Sequence, residues 1–429
     1  MSSGRSSITH MQATEKAHEA PAAPAAPPPP PPNGGTKAWL QVLGAFFLNF
    51  NTWGLSNSFG IYQTEYTRSL LVSSSQSQIA WIGSLQAFLM LFCSVLAGRA
   101  LDAGYFYADI SIGIFLQVFG MMMTSLATKY WQIMLAQGVV VGIGAGMNFI
   151  ASVTVVGTYF STKRSTAQGI AATGSCFGGI IYPVVINQLL ADGISLAWAT
   201  RIVAFLMLGT LLISAAVMRP RSDLPPRKSG PLVDFDSLKN PPFAIWLVGC
   251  FLTFIGLYIP FFYVEIDALS LGISEDMSFY MLTIMNAASI PGRVFPAYLA
   301  DKVGNLHIII PAVLLSGIVS LAWIAVTDEG SLIAVSVLFG LANGAINSVV
   351  PGVVAFLCPD LRKLGSNIGM TLFASGLGML VGSPVAGAIL GVDAKFWAAF
   401  LFTGVVVLVG GLLICVCRVL KVGFAITKA

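Results

Sequence analysis

The sequence predicts an all-α membrane protein whose twelve transmembrane helices form two six-helix halves. Three observations lead to this prediction: the composition is strongly apolar, long apolar runs recur along the chain, and features of the first half return in the second. Hydrophobic residues make up 56% of the 429 residues and charged residues only 9%, whereas soluble domains carry about 25% charged residues. Lipid is therefore the expected solvent for most of this chain.

Apolar runs of about 20 residues, separated by polar breaks, indicate the individual helices. Such a run satisfies its own backbone hydrogen bonds in hydrocarbon only as a helix, and the sequence lacks the alternating pattern of a membrane barrel. The first six helices are predicted at 39–62, 78–98, 107–126, 131–159, 165–190 and 199–218. The second six are predicted at 243–264, 277–299, 307–327, 331–357, 364–391 and 396–417.

Polar and proline-rich segments divide the chain around these helices. Residues 1–36 end in an Ala/Pro-rich stretch that cannot build a core, so a disordered cytoplasmic tail is expected there. A polar linker at 219–240 separates an N-terminal half at 37–218 from a C-terminal half at 241–420. Residues 421–429 are expected to form a second cytoplasmic tail.

The two halves repeat each other faintly. Asp102 follows the second predicted helix as Asp301 follows the eighth, and Pro183 in the fifth helix has a counterpart in Pro384 of the eleventh. Both pairs lie roughly 200 residues apart, and parallel six-helix repeats are typical of carriers that bind their substrate at the membrane midplane, between the repeats. The repeat thus supports both the helix number and a central binding site.

Lysine and arginine residues predict the orientation of the chain. An even number of helices puts both termini on one side, and basic loops favour the cytoplasm. With cytoplasmic termini, the basic residues outside the cytoplasm are Arg293 within the membrane and, on the far side, Arg68, Lys129, Arg201 and Lys395. The remainder of the 22 lysines and arginines lie on the cytoplasmic side. The net charge of +4 therefore reflects membrane topology, and nucleic acid is not an expected partner.

A short loop after the second predicted helix, with the sequence GRALDAGYF, carries glycines beside opposite charges. Its residues of interest are Gly98, Arg99, Asp102 and Gly104. An arginine and an aspartate form a strong charged hydrogen bond, which can latch neighbouring helices in one access state. An ordinary polar turn is the alternative interpretation.

Polar side chains inside the predicted helices are candidate binding groups, because each costs free energy in lipid unless it finds a partner or a watery cavity. Helical spacing puts Asn286, Ser289 and Arg293 on one face of the eighth helix. Similar spacing in other helices gives further candidates at Asn57, Asn148, Gln168, Asn343 and Asn347. We expect these groups to line a central cavity; interhelical hydrogen bonding is the alternative.

Arg293 is the strongest of these candidates. It lies well inside an apolar helix, and its own helix offers no acidic residue until Asp301. A guanidinium stays protonated at accessible pH, so it needs a carboxylate, carbonyl groups or an anionic substrate. The hypothesis is a substrate-binding or gating role, and the alternative is an anchor at the cytoplasmic mouth that pairs with loop groups.

Catalytic and metal-binding patterns are missing from the sequence. The histidines are His10, His18 and His307, and no metalloprotease, hydrolase or nucleotide-binding motif is present. The six cysteines lie in or beside apolar helices without metal-ligand spacing. We therefore expect a protein that is not an enzyme and that binds neither a metal nor another cofactor.

Several segments together resemble one known family. These are FGIYQTEY, QIAWIGSLQAFLM, GRALDAGYF, GTYFSTKRSTAQGIAATGSCFGGIIYP, VMRP and PGRVFPAYLADKVG. They look like the fungal branch of the monocarboxylate-transporter family of major facilitators, and the resemblance spans roughly Gly34 to Leu420. It implies the major facilitator fold and a porter driven by a proton or solute gradient.

Family residues carry over unevenly onto this sequence. The intramembrane arginine that pairs with carboxylate substrates in the family matches Arg293. The lysine of the first helix in proton-coupled lactate carriers falls at Asn57, and the aspartate of the eighth helix falls at Ser289. Both members of the family's proton-relay pair are thus replaced, so simple proton–monocarboxylate symport does not follow from the resemblance.

The function expected from the sequence is secondary active transport of a small organic acid or secondary metabolite, in the efflux direction, by alternating access. One alternative is proton-coupled uptake of a monocarboxylate or vitamin, and another is a membrane receptor that transports nothing. The expected partners are a small-molecule substrate, the lipid bilayer and, in the coupled alternatives, a proton. The expected location is the plasma membrane, with the vacuolar or another organelle membrane as the alternative.

Overall fold

A computed structural model describes residues 30–221, 234–358, 363–391 and 396–423. Within these ranges the chain forms helices and no strands, which confirms the predicted all-α class. Parts of the predicted tails and linker lie outside the described residues, at 1–29, 222–233 and 424–429.

The helices follow one another along the chain with short connections. The N-terminal helices, α1 to α9, are Thr36–Asn51, Trp53–Asn57, Phe59–Glu65, Gln76–Asp102, Phe106–Thr124, Tyr130–Ile133, Gly142–Tyr159, Arg164–Ala191 and Leu196–Val217. A short α10, Phe235–Leu238, precedes the C-terminal helices. These helices, α11 to α17, are Pro241–Leu257, Ile259–Ser270, Glu275–Val303, Asn305–Ala322, Glu329–Leu357, Leu364–Leu390 and Phe396–Val422.

Ten helical segments in the described part of the chain are long and apolar enough to cross a membrane. The first and eighth predicted helices are not among these ten, for two different reasons. The first is divided into α1, α2 and α3. The eighth, α13, is 29 residues long but less apolar, because its middle carries Asn286, Arg293 and two prolines, Pro291 and Pro296.

Hydroxyl side chains accompany the breaks in the first predicted helix. Thr52, between α1 and α2, donates its hydroxyl to the carbonyl of Leu48 at 2.9 Å. Ser58, between α2 and α3, donates to the carbonyl of Gly54 at 2.7 Å. A hydroxyl that bonds the carbonyl one turn earlier shares that carbonyl with the backbone N–H, and such bonds often bend helices. The prediction of one continuous helix at 39–62 was therefore wrong.

The seventh predicted helix is also divided, and here proline is the cause. The helix ends at Leu257 as α11 and resumes at Ile259 as α12, which extends beyond the predicted end to Ser270. Pro260 has no N–H, so it cannot donate to the carbonyl one turn earlier. The predicted span at 243–264 corresponds to one candidate membrane span, Pro241–Ser270, which is interrupted at Tyr258 and ends later than predicted.

Alternating helix directions give the bundle two ends, and we call the end where α1 begins the basic end. There, the side-chain oxygen of Asn33 accepts bonds from the N–H groups of Ser161 at 2.7 Å and Thr162 at 3.0 Å. The Tyr159 hydroxyl donates to the carbonyl of Arg219 at 3.1 Å. These bonds join the entry of α1, the exit of α9 and the connection between α7 and α8.

An ion pair at the basic end ties the segment before α10 to the start of α16. The ammonium of Lys363 lies 3.0 Å from a carboxylate oxygen of Asp234. A hydrogen bond from the Ser237 hydroxyl, together with Lys363, lowers the pKa of the Asp234 carboxyl below its ordinary value. Asp234 therefore stays ionised at neutral pH and keeps this contact.

The N-terminal and C-terminal helices pack against each other mainly through α4 with α16 and α8 with α13. Small residues permit the second contact. A Cβ atom on Gly169 would lie 2.8 Å from the carbonyl oxygen of Arg293, closer than packed atoms normally approach. Glycine at this position therefore brings the two backbones together beside the arginine.

Candidate functional site

A cavity lies between the N-terminal and C-terminal helices, with an empty volume of about 690 Å³ including the part open to solvent. Both sets of helices supply its walls. The lining consists of aromatic, amide and aliphatic side chains and one guanidinium, that of Arg293. The lining residues are Asn49, Trp53, Leu91, Phe149, Val153, Gln168, Ala172, Phe254, Arg293, Asn347, Ser348, Val350, Pro351, Leu372 and Ser375.

The break after α1 shapes the N-terminal wall of the cavity. Asn49, in the last turn of α1, donates its amide to the carbonyl of Ala45 at 2.8 Å and to the Ser152 hydroxyl at 3.2 Å. Trp53 begins α2, and its ring meets that of Phe149 edge-on at 5.7 Å. The bend thus places an amide and an indole side by side on the cavity surface.

An aromatic contact bridges the two sets of helices at the inner end of the cavity. The ring of Trp53 stacks on that of Tyr258 with centroids 5.6 Å apart. Tyr258 lies in the break between α11 and α12 and donates its hydroxyl to the side-chain oxygen of Asn347 at 3.2 Å. The amide of Asn347 in turn donates to Asn343 at 3.0 Å. One chain of contacts therefore runs from the N-terminal wall to α15.

Arg293 is the charged group of the lining. Arg293 is only 4% exposed, and its Nε atom is buried without a hydrogen-bond partner. No ion pair or hydrogen bond joins its guanidinium to another residue in the described ranges. A permanently charged group held in this way favours an anion in the cavity, because only an acceptor or a negative charge compensates its lost hydration.

Two further predicted residues join Arg293 at the cavity, and a third lies just behind. Gln168 lies on α8, the helix that packs against α13 beside Arg293; it is half-buried and donates to the carbonyl of Val153 at 3.2 Å. Asn347 reaches the lining from α15. Asn343, one turn earlier, is 1% exposed, and its side-chain oxygen holds Asn347 in place.

The structure places Asn57, Asn286 and Ser289 away from the cavity lining. The amide of Asn57 donates to the side-chain oxygen of Asn286 at 3.3 Å. Asn286 itself donates to the carbonyls of Gly179 at 3.2 Å and Leu282 at 3.0 Å. Ser289 donates to the carbonyl of Gly340 at 2.8 Å. All three groups connect neighbouring helices, so they match the interhelical alternative of the sequence analysis.

Asn148 also lies among helices, within the N-terminal set. Its amide donates to the side-chain oxygen of Gln117 at 2.8 Å, and the amide of Gln117 donates to the carbonyl of Asn51 at 3.2 Å. The Asn51 carbonyl lies beside the break between α1 and α2. Asn148 therefore supports the bent helix that carries Trp53.

The GRALDAGYF loop, which the sequence analysis interprets as a latch between neighbouring helices, lies at the basic end. Gly98, Arg99 and Asp102 occupy the last turns of α4, and Gly104 follows with a φ of 94°, which favours glycine. Gly98 faces the side chain of Ile150 on α7. Arg99 and Asp102 both interact with other groups. The loop thus ends α4 and contacts a second helix of the N-terminal set.

The repeat counterpart of Asp102 joins the two sets of helices at the basic end. Asp301, near the end of α13, accepts bonds from the backbone N–H of Thr166 at 3.0 Å and from its hydroxyl at 2.9 Å. Thr166 lies in the first turn of α8, where a negative charge also favours the helix dipole. The sequence showed the repeat but not this partner.

Sequence reasoning did not identify Tyr258, Phe254 or Ser375 as site residues. An apolar run gives no reason to single out one aromatic residue among many. A usable signal was nonetheless present, because Pro260 two residues after Tyr258 marks a break in the helix. Backbone breaks in membrane helices are tolerated where they line a cavity.

An all-helical bundle of long apolar helices, with a cavity between its two sets of helices, is typical of membrane transporters. The chain matches the Major Facilitator Superfamily over residues 41–326 and again over residues 265–424. The protein therefore belongs to the Major Facilitator Superfamily.

Curated relatives are fungal transporters of this superfamily. The chain is 41% identical to the MFS-type transporter dbaD of Emericella nidulans, over 90% of this chain and 86% of that protein. It is 36% identical to the aspyridones efflux protein apdF of the same fungus, over 89% and 77%. It is 34% identical to the agnestins efflux protein AgnL12 of Paecilomyces divaricatus, over 91% and 89%.

Proposed function

We propose that this transporter exports a small organic anion, a secondary metabolite of the cell, by alternating access of the central cavity. The observation that carries the proposal is the guanidinium of Arg293, buried in the cavity wall without a partner among the described residues. The relatives named as efflux proteins support the direction. In this proposal, Arg293 binds the anionic group, and Gln168 and Asn347 donate or accept hydrogen bonds at its side.

The architecture we propose has twelve membrane spans in two six-helix halves, at 37–218 and 241–420, joined by the linker at 219–240. Two spans add to the ten apolar ones: the broken rod α1–α3 and the charged helix α13. At 29 residues, α13 exceeds the roughly 20 residues that cross a bilayer. Its central charge, Arg293, faces the cavity, as intramembrane charges generally do.

In the proposed orientation the basic end faces the cytoplasm, in the plasma membrane. The asymmetry of lysine and arginine supports this orientation. Contacts join the two sets of helices at both ends: Ser77 donates to the carbonyl of Pro384 at the opposite end, and Thr166 donates to Asp301 at the basic end. The cavity is lined from the half nearer the basic end, by Gln168 near the start of α8 and Pro351 near the end of α15, and this position supports loading of substrate from the cytoplasm.

Aromatic residues around Arg293 indicate the kind of anion. Trp53, Phe149 and Phe254 line the same cavity. A flat, partly apolar molecule with an acidic group fits this mixture better than a short aliphatic acid, since rings bind apolar faces and the guanidinium binds the charge. Membership of the monocarboxylate-transporter-like family is part of the proposal for the same reason, because Arg293 matches that family's carboxylate-binding arginine.

Proton-coupled uptake of a monocarboxylate has less support from the contacts. The positions that carry the family's proton-relay pair hold Asn57 and Ser289, and both donate hydrogen bonds to neighbouring helices. Neither side chain titrates at physiological pH. Cytosolic and medium metabolites of wild-type and deletion cells separate the two directions: an exporter leaves its substrate inside the deletion cells, and an importer leaves it in the medium.

Arg293→Lys tests the binding role once that comparison has identified the substrate. The change keeps the charge but removes the planar fork that binds a carboxylate through two hydrogen bonds. We expect normal insertion and initial-rate efflux reduced by roughly tenfold or more, because hydrogen bonds to charged groups contribute about 1.5–3 kcal/mol.

Arg201→Lys is the matched control for Arg293→Lys. Arg201 lies on α9 near the opposite end, stacks on Trp198 at 4.7 Å and donates to Ser125 at 3.1 Å, away from the cavity. We expect its efflux rate, normalised to the amount of protein in the membrane, to equal that of the wild type. Wild-type kinetics in Arg293→Lys would rule out the anion-binding role.

A further inference from the structure

We propose that Glu265 is a proton-binding site at the opposite end of the bundle, where binding of a proton from that side of the membrane favours the closed gate. The proposal rests on the alternating access of the proposed function. It adds a ligand, the proton, and a place where that ligand acts.

Glu265 lies in the contact between α3 and α12, which we call the gate. Glu265 lies on α12, which packs against α3 across the interface between the C-terminal and N-terminal helices. The two backbones are close, since a Cβ atom on Gly60 would lie 2.8 Å from the carbonyl oxygen of Phe261. Glu265 is 9% exposed, and its Oε2 atom is buried without a hydrogen-bond partner.

The groups of α3 that face Glu265 do not neutralise it. Thr64 lies within hydrogen-bonding reach of the carboxyl group and favours its charged form, but its hydroxyl also donates to the carbonyl of Gly60 at 3.2 Å and carries no charge. Glu65, half-buried on the same helix, adds a second carboxyl group. The nearby cation is Arg68, in the segment that follows α3.

Arg68 has other carboxylates to neutralise. Its guanidinium is about half exposed and lies 3.6 Å from a carboxylate oxygen of Glu275, at the start of α13. One guanidinium therefore faces the carboxyl groups of Glu65, Glu265 and Glu275. An ionised Glu265 would leave excess negative charge in a buried interface, which burial and like charges both disfavour.

Among the described residues, Arg68 is the cation whose charge acts on Glu265, and Arg293 and Lys302 of α13 are not among the groups that do. Neither α11 nor α16 has a charged residue in its sequence, and the charges of α17 lie in its final turns, at the basic end. On α12 itself, Asp267 accepts a bond from the Trp323 ring N–H at 3.0 Å, and Tyr263 donates to the carbonyl of Ser383 at 2.9 Å. The closed interface therefore suits a neutral, protonated Glu265.

Opening of the gate changes the environment of this carboxyl group. When α3 and α12 separate, water hydrates Glu265, which ionises and releases its proton to the opposite side of the membrane. Closing the gate takes up that proton again. By linkage, acid on that side favours the closed gate, with the cavity open to the basic end, and alkali favours the open gate. For an exporter, external acid then favours the return of the empty carrier to the loading state.

A labelling experiment tests the site without knowledge of the substrate. Gln63 is fully buried in the same interface, so Gln63→Cys is protected while the gate is closed. Sealed vesicles with the opposite end outward are treated with a membrane-impermeant thiol reagent at a series of external pH values. Background labelling of native cysteines is subtracted. We expect the labelling rate to rise by up to about tenfold per pH unit within the titration range, the limit for one linked proton.

Three further substitutions in the Gln63→Cys protein identify the group responsible. Glu265→Gln imitates the protonated form and should label slowly at every pH. Glu265→Asp keeps a titratable group, so its labelling should still rise with pH. Asp276→Asn, which removes an exposed carboxylate at the same end, should behave like the unmodified background.

Each alternative result has a distinct meaning. A pH response that survives unchanged in Glu265→Gln, a Glu265→Asp protein that no longer responds, or a background that never responds would overturn the proton site. If Gln63→Cys is never labelled at any pH, the gate does not open, and alternating access itself is contradicted.

Discussion

The broken rods α1–α3 and α11–α12 are both interrupted, and different residues lie at their breaks. The breaks at Ser58 and Tyr258 lie roughly 200 residues apart, at the spacing of the repeat predicted from the sequence. In the first rod, hydroxyl groups bond the carbonyls one turn earlier. In the second rod, Pro260 removes a backbone donor. The interruption is thus the shared feature, whereas the residues at the breaks differ.

Each of the two rods contributes different residues to the cavity. The N-terminal rod brings Asn49 and Trp53 to the cavity surface, and the C-terminal rod brings Tyr258 against Trp53 from the other side. Beyond the breaks, Gly60 and Phe261 bring the rods into contact at the opposite end. Each rod therefore contributes both to the cavity and to the gate, and the comparison can be tested at either place.

Of the substitutions in the two rods, Gly60→Val should have the largest effect on efflux. A side chain at Gly60 would meet the carbonyl oxygen of Phe261 at 2.8 Å, so the rods cannot approach as they do in the wild type. We expect the gate to stay open because a close-packed contact tolerates little extra volume. Efflux should fall by more than about tenfold. Labelling of Gln63→Cys should be fast at every pH.

Gly209→Val provides the control for this substitution. Gly209 also lies within a helix, α9, but a Cβ atom there would meet nothing within 4 Å. We expect efflux and labelling like those of the wild type. Normal labelling kinetics in Gly60→Val would show that the contact between the rods is not part of the gate.

Substitution of Tyr258 should have an intermediate effect. Tyr258→Phe keeps the stack on Trp53 and loses the bond to Asn347, so KM should rise by up to about fivefold, the equivalent of one neutral hydrogen bond. Tyr258→Leu loses both contacts and should reduce efflux further. Initial rates against substrate concentration provide the measurement. Equal effects of the two changes would mean that the ring stack contributes nothing.

The two break residues themselves should give the smallest effects, with proline ahead of serine. Pro260→Ala restores an N–H that can bond the preceding turn, so α11 and α12 should become straighter and efflux should fall severalfold. Ser58→Ala removes one hydroxyl bond and should change the efflux rate by less than about twofold. Flux and thermal unfolding in detergent measure both changes. A larger effect from Ser58→Ala would reverse our ranking of the two breaks.

Apolar length predicted most of the fold, because hydrocarbon demands a helix from every long apolar run. It could not predict the breaks. Thr52 and Ser58 are ordinary residues in an apolar run, and hydroxyl bonds of the same kind at Ser320, Thr371 and Thr403 lie within unbroken helices. Pro260 is a clearer indication of a break, but proline within membrane helices often leaves the helix continuous. Pro183 and Pro384 both lie inside unbroken helices here.

Helical spacing predicted the candidate site only in part, since it defines a face but not what covers that face. Arg293 and Asn286 were assigned to one face of the same helix. The first lines the cavity, whereas the second is covered by Asn57 and the backbone of α8. The distinction depends on where the neighbouring helix lies, which no single helix encodes. Charge was the better guide, because a guanidinium needs compensation that an amide finds in any nearby carbonyl.

The stack of Trp53 on Tyr258 has a consequence for the cell's energy supply. A carrier in a membrane that holds an electrical potential must not conduct ions while its substrate site is empty. The faces of the stacked rings offer a hydrated ion no ligands with which to replace its water. We therefore expect the resting carrier to leak few ions across the electrical potential of the membrane.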